Sequence, residues 1–207
     1  YENQLRAEKR LSIVVPLCLL TIFLILYFQF RSVATSFFVF AGISMAFAGG
    51  FIMLWLYGQD WFMDFSVLGT NMRELFQMKT YNLSVAVWVG FIALFGIATD
   101  DGVVVATYLK QSFEKRTPEN VTEVRNAVLE AGKKRVRPCL MTTATTLLAL
   151  LPVLTSSGRG SDIMIPMAIP SFGGMTIELI TLFLVPVLYS WWAERKVKKN
   201  LEAITES

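Results

Sequence analysis

The sequence has no histidine, two cysteines and few charged residues. The commonest side-chain ligand of zinc and haem is therefore missing. Cys18 and Cys139 each lie in or beside an apolar run, so they form neither a disulfide framework nor a Cys-x-x-Cys pair. Charged residues make up 17% of the 207 residues, against roughly 25% in soluble domains. With 54% hydrophobic residues and a mean hydropathy of +0.52, the composition excludes disorder and a solvated globule.

Five apolar runs are long enough to cross a membrane, which takes about 20 helical residues. Only Asp100, Asp101 and Glu178 interrupt them. Five such runs in so short a chain favour a membrane protein over the buried helices of a large soluble protein. We therefore predict an all-α, polytopic membrane helix bundle over residues 11–192, between a lead-in at 1–10 and a tail at 193–207. The predicted spans are about 11–30, 33–57, 81–109, 140–157 and 163–192.

Residues 117–132 predict a further helix between the third and fourth spans. Thr117 is suited to the N-cap, Pro118 to the first helical position and Gly132 to the stop. The apolar residues of this helix fall on one stripe, which consists of Val121, Val124, Val128 and Leu129. An amphipathic helix over about 118–131 is expected on the cytoplasmic surface.

Basic residues are distributed unevenly between the two sides of the predicted bundle. Thirteen of the 19 lysines and arginines fall at Arg31, in the loop 110–137 or in the tail, and six fall on the other side. The positive-inside rule then places the tail in the cytoplasm and the N-terminus outside. The same orientation predicts that the aromatic-rich segment 58–80 is an outer loop at the membrane–water interface. A polar N-terminus outside, with no earlier span to export it, indicates the C-terminal piece of a larger protein.

The acids inside the spans are functional candidates, because each costs about 2.5–3.5 kcal/mol at the centre of a span. The five runs contain no lysine or arginine. The carboxyls of Asp100, Asp101 and Glu178 therefore stay protonated, face water or find a cation elsewhere. The alternative to a functional role is a structural one, in which each carboxyl hydrogen-bonds to the backbone of a neighbouring helix. Asp100 and Asp101 are about 100° apart around a helix and cannot share one environment. For the same reason they cannot form the dyad of an intramembrane aspartyl protease.

Hydroxyl and thioether groups supply two further candidate sets. Four threonines, which can relay protons or simply pack, open the fourth span: Thr142, Thr143, Thr145 and Thr146. Met164 and Met167 lie three residues apart, on one face at the outer end of the last span. Thioethers are soft ligands that suit Cu(I), although methionine in an apolar helix also serves as adaptable filling.

Several motifs in order resemble one transporter family. Residues 90–105, GFIALFGIATDDGVVV, resemble the tenth membrane helix of resistance-nodulation-division (RND) efflux pumps. Residues 135–142, RVRPCLMT, are similar to that family's entry into helix eleven. The segments LLPVL, GRGSDIM and GGM, at 150–154, 158–164 and 173–175, are most similar to the heavy-metal branch and especially to its Cu(I)/Ag(I) pumps. The resemblance covers nearly the whole chain as helices eight to twelve, half of an RND membrane domain.

The resemblance implies a proton-driven secondary transporter, and not an enzyme, in the bacterial inner membrane. It implies a homotrimer surrounded by membrane lipid, joined to a periplasmic adaptor and an outer-membrane channel, with no nucleic-acid partner. The N-terminal half and the periplasmic domains of the same pump would complete each subunit. No permanently bound cofactor is implied. Cu(I) or Ag(I) would be the transported ion and protons the coupling ion.

The resemblance also assigns roles to individual residues. Asp100 matches the relay position of helix ten, where the metal branch usually has Glu, and acts with an acid on helix four. Thr142 and Arg135 match the hydroxyl and the basic residue of helix eleven, and Asp101 is a further relay candidate. Met164 matches a methionine that hands metal through the membrane region. Met167 is not assigned by the resemblance and joins the metal site through its spacing from Met164.

One position departs from the pattern of the metal branch. Cys139 stands where that branch commonly has Lys. The relay's cation would then be Arg135, Arg137 or a residue outside this chain.

Two other functions fit parts of the pattern. An RND exporter of drugs or lipids would differ mainly in its periplasmic domains. A membrane scaffold or sensor without transport would not need acids in mid-membrane.

Overall fold

Helices dominate the part of the chain that the structure, a computed structural model, describes: residues 2–67, 69–115 and 120–205. They are α1 Glu2–Phe30, α2 Val33–Tyr57, α3 Met72–Leu75, α4 Val85–Lys115, α5 Val121–Leu154, α6 Ser161–Thr181 and α7 Leu184–Thr205. Five segments are long and apolar enough to span a membrane: Lys9–Phe30, Val33–Tyr57, Val85–Glu114, Val121–Leu154 and Ser161–Ile180. The predicted all-α bundle with five membrane helices is confirmed.

The segment between α2 and α4 carries the small strands β1 Ser66–Val67 and β2 Thr70–Asn71, which pair antiparallel. Asn71 caps α3 by accepting a hydrogen bond from the backbone N–H of Arg73 at 2.9 Å. The Arg73 guanidinium binds the Asp60 carboxylate at 2.9 Å and so ties α3 to the start of this loop.

Three helices, α2, α4 and α6, meet at the centre of the bundle because glycines let their backbones approach. A Cβ on Gly90 of α4 would overlap the carbonyl oxygen of Met167 in α6. A Cβ on Gly174 of α6 would lie 2.8 Å from the Ala46 carbonyl oxygen in α2. The hydroxyl of Ser171 donates a hydrogen bond to the Gly90 carbonyl oxygen at 3.1 Å. Small residues of this kind permit close packing of membrane helices.

Phenylalanines fill the space between α2 and α4. The Phe47 ring centroid lies 4.9 Å from that of Phe91 and 5.4 Å from that of Phe95. Phe51 lies 4.7 Å from Phe91. Such separations are typical of favourable aromatic pairs. This cluster holds α4 in a fixed rotation, which determines where its two aspartates point.

The predicted helix stop at Gly132 is wrong. Helix α5 continues through Gly132 from Val121 to Leu154, so the amphipathic segment and the fourth span are one helix. A glycine costs only about 1 kcal/mol in a helix interior, and the residues that follow are good helix formers. Thr117 and Pro118, which were predicted to start this helix, lie outside the described residues.

The predicted span 163–192 is divided into α6 and α7, with the interruption at Leu182 and Phe183. Pro186 follows Leu182 by four residues and has no N–H to donate to its carbonyl. Leu182 itself still donates to the Glu178 carbonyl oxygen at 2.8 Å, so α6 is complete up to the interruption. Pro138 and Pro152 remain inside α5, so a missing donor is not sufficient to interrupt a helix.

Candidate functional site

The two adjacent aspartates of α4 lie in different surroundings, as their angular separation predicts. Asp100 is exposed on the surface of the bundle, whereas Asp101 is half-buried and faces inward. The helices of this chain therefore determine the environment of the Asp101 carboxyl but not that of the Asp100 carboxyl.

The carboxyl of Asp101 points towards α5. The thiol of Cys139 hydrogen-bonds to it, and the hydroxyl of Thr143 lies beside it. Cys139 and Thr143 are both buried. The Thr143 hydroxyl donates to the Cys139 carbonyl oxygen at 2.9 Å, so its own oxygen can accept a hydrogen bond from a protonated Asp101. The three side chains thus form a polar cluster within an apolar bundle.

Arg135 supplies the positive charge nearest to this cluster. It is half-buried on α5, one turn before Cys139, and interacts electrostatically with Asp101 and Cys139. Its guanidinium also lies over the Tyr108 ring, 5.5 Å from the ring centroid. The cation for an acid within the spans thus comes from outside the apolar runs. Arg137, the other basic candidate on this helix, is exposed and lies about 200° further around α5.

Glu178 joins the cluster from α6, which the sequence did not predict. Its side chain and that of Asp101 line one cavity of about 20 Å³, together with Gly42, Gly102 and Leu182. The two carboxyls interact electrostatically, and Glu178 is 6% exposed. The cavity has room for about one water molecule. A lone acid in an apolar run was the only signal in the sequence, because spacing along the chain does not show which helices will meet.

Thr142 lies apart from the Asp101 cluster, on an exposed part of α5. Its hydroxyl donates to the Pro138 carbonyl oxygen at 2.7 Å. Thr145 and Thr146 also donate to carbonyl oxygens of the preceding turn. Exposure is the feature that Thr142 shares with Asp100.

Met164 and Met167 lie near the start of α6 and are 45% and 40% exposed. Their spacing places both thioethers on one side of the helix. In the described ranges, no group of three or more aspartate, glutamate or cysteine side chains is arranged to hold a metal ion. The two methionines therefore form an accessible pair of soft donors that needs further ligands to make a complete site.

Ionisable residues between membrane helices mark ion or proton pathways, so an acid cluster inside a bundle of membrane helices is typical of a transporter. The profile of the AcrB/AcrD/AcrF family matches residues 1–70 and 75–193, and the chain belongs to that family. This membership confirms the RND resemblance.

Several relatives are named for cation efflux or for metal resistance. The chain is 34% identical to the cation efflux system protein CusA of Escherichia coli (strain K12) over 203 residues, 94% of this chain and 17% of CusA. It is 30% identical to the cobalt-zinc-cadmium resistance protein CzcA of Cupriavidus metallidurans, over 91% of this chain and 15% of CzcA. A crystal structure of a heavy metal efflux pump matches with a TM-score of 0.69 at 29% identity, over 92% of this chain and 16% of that one. The chain thus spans less than a fifth of the length of these relatives.

Proposed function

We propose that this chain is the C-terminal membrane portion of a proton-driven RND transporter that exports heavy-metal cations. The observation that carries the proposal is the Asp101 cluster, which sits inside a membrane bundle of the RND fold. A carboxyl beside a thiol, a hydroxyl and a guanidinium can take up and release a proton without leaving a bare charge in hydrocarbon. The printed names of the relatives, which refer to cation efflux and metal resistance, support the cargo.

The two aspartates divide the relay between them. Asp100 faces outward from this chain and exchanges protons with groups in the rest of the pump, including the acid that the resemblance places on helix four. Asp101 gains and loses its proton inside the bundle, in an environment formed by Cys139, Thr143 and Glu178. Arg135 balances the charge of the ionised state, in place of the Lys that the metal branch commonly has at position 139. Thr142 lies on the outward side with Asp100.

The proposed cargo is Cu(I) or Ag(I). Met164 and Met167 support it, because uncharged thioethers bind soft monovalent ions without adding an anion to the membrane. CzcA is named for cobalt, zinc and cadmium, so similarity to the membrane helices alone does not select the metal. In this proposal the metal ion is transported cargo, and the transporter has no permanently bound cofactor.

The assembly that we propose is a homotrimer in the inner membrane with its tail in the cytoplasm. The N-terminal half and the periplasmic domains complete each subunit. A periplasmic adaptor and an outer-membrane channel complete the export path.

Aspartate-to-asparagine variants of the intact protein test the relay, since Asn keeps the shape of Asp and removes the titratable charge. Asp100→Asn is expected to abolish metal-dependent proton flux in proteoliposomes and metal resistance in cells, while the protein is still produced. Asp101→Asn is expected to reduce both and to change the pH dependence of transport. Asp162→Asn is the matched control, because Asp162 is an exposed acid at the start of α6, 3.8 Å from Lys79.

Parental proton flux in the Asp100→Asn variant would remove Asp100 from the mechanism. An unchanged pH profile in the Asp101→Asn variant would reduce the buried cluster to a packing role.

A further inference from the structure

A long groove runs along the bundle on a side that the relay does not use. Its volume is about 890 Å³, and its walls are α5 and the segment from Phe183 to Ser190 at the start of α7. The residues that α5 contributes recur every three or four positions from Arg125 to Ala144, so one face of the helix forms a continuous wall. Arg135 and Thr142 are not among the lining residues.

The groove is amphiphilic along its length. At one end it is apolar, with Leu140, Met141, Phe183 and Val187 exposed on its walls. Towards the start of α5 the lining stays mainly apolar, and Lys133 and Arg137, one turn apart, add two basic groups to it. Both are exposed, and no acidic residue lines the groove in the described part of the chain.

We expect the two basic residues of the groove near the edge of the membrane. Helix α5 has 34 residues, about 51 Å at 1.5 Å per residue, and is longer than the roughly 30 Å hydrocarbon layer. The uninterrupted apolar run of this helix begins at Leu140. Lys133 and Arg137 therefore lie at the level of the lipid headgroups, and the apolar end of the groove faces the acyl chains.

The third basic residue of the groove has a structural partner. Arg125 binds Glu194 of α7 through two hydrogen bonds, at 2.8 and 3.4 Å. This contact joins the two walls of the groove at one end. It leaves Lys133 and Arg137 as the cations that face the groove without competition from an acid on its lining.

We propose that this groove is a binding site for one anionic glycerophospholipid, whose phosphate lies between Lys133 and Arg137 and whose acyl chain lies along Leu140, Ala144, Phe183 and Val187. Charge complementarity selects this occupant, since clusters of basic residues between membrane helices bind anionic headgroups. The inference is independent of the transported ion, because no relay residue lines the groove.

Native mass spectrometry of lipid binding to the intact, delipidated protein tests how much the two cations contribute to lipid affinity. Phosphatidylglycerol is expected to bind more tightly than phosphatidylcholine. The Lys133→Gln, Arg137→Gln double variant should weaken phosphatidylglycerol binding by about thirtyfold, which is about five- to sixfold for each cation, and should leave phosphatidylcholine binding unchanged. Lys134→Gln is the matched control, because Lys134 is exposed, lies outside the groove and pairs with Glu130 at 3.0 Å.

A photoreactive benzophenone side chain at position 183 tests occupancy in the native membrane without altering charge. Cross-linking to phosphatidylglycerol or another anionic glycerophospholipid supports the proposal. Cross-linking to another segment of the pump, or to a second subunit, overturns it, because protein then covers the groove. Equal binding of the two lipids, or parental phosphatidylglycerol affinity in the double variant, overturns it as well.

Discussion

At the scale of single residues, one step along α4 separates an outward carboxyl from an inward one. Asp100 is exposed, and Asp101 contacts Cys139 and lies beside Thr143. Charge and position in an apolar run indicate that both are important, and helical geometry indicates that their environments differ. Which of them faces inward depends on how α4 is rotated, and the packing of Phe91 and Gly90 against α2 and α6 determines that rotation.

The methionine pair gives a second prediction at this scale. Replacing Met164 and Met167 together by Ile keeps apolar bulk and removes both sulfurs. If the thioethers bind the cargo, resistance to Cu(I) and Ag(I) should fall while the protein still assembles, because Ile offers no soft donor. Growth of cells that carry the intact pump, measured over a range of metal concentrations, provides the readout.

Met175 supplies a control for this pair, since it is 1% exposed and faces the interior of the bundle. Met175→Leu, a substitution close in volume, should leave metal resistance unchanged. Unaltered resistance in the Met164→Ile, Met167→Ile variant would show that these side chains only fill space.

At the scale of elements, the bundle depends on how closely α4 approaches α6. Gly90→Val places a side chain against the Met167 carbonyl oxygen. This oxygen belongs to a helix backbone, which cannot move aside to relieve the overlap as a flexible side chain could. We expect a loss of stability at or above the roughly 1–3 kcal/mol of an overpacked core, seen as a lower thermal unfolding temperature in detergent and less assembled protein.

Gly132→Ala is the control for this prediction and also tests the continuity of α5. A Cβ at Gly132 would meet nothing within 4 Å. Because the helix runs on through this position, Ala should be tolerated or should add up to about 1 kcal/mol of stability. A destabilised Gly132→Ala variant would contradict a continuous α5.

At the scale of the whole molecule, membrane orientation remains a prediction. Single cysteines replacing Lys196 in α7 and Arg159 before α6 report on the two faces, because both native side chains are exposed. A membrane-impermeant maleimide should label position 159 in intact cells and position 196 only after the inner membrane is opened. Cys18→Ser removes the half-buried background thiol, and Cys139 is buried. Labelling of position 196 in intact cells would reverse the proposed topology.

The sequence alone determined the membrane class, the five apolar segments and the RND family. Composition and run length reflect the cost of burying backbone and charge in lipid, and they need no knowledge of contacts. The tertiary structure decided the rest. Glu178 reaches Asp101 because α4 and α6 are packed closely through Gly90. Arg135 reaches Asp101 because the chain is already helical one turn before Cys139. Likewise, the helix is interrupted before Pro186 but not before Pro138, so the missing N–H of a proline does not by itself decide where a helix breaks. These outcomes depend on which helix faces meet, and contacts between distant residues leave no periodic pattern in the chain.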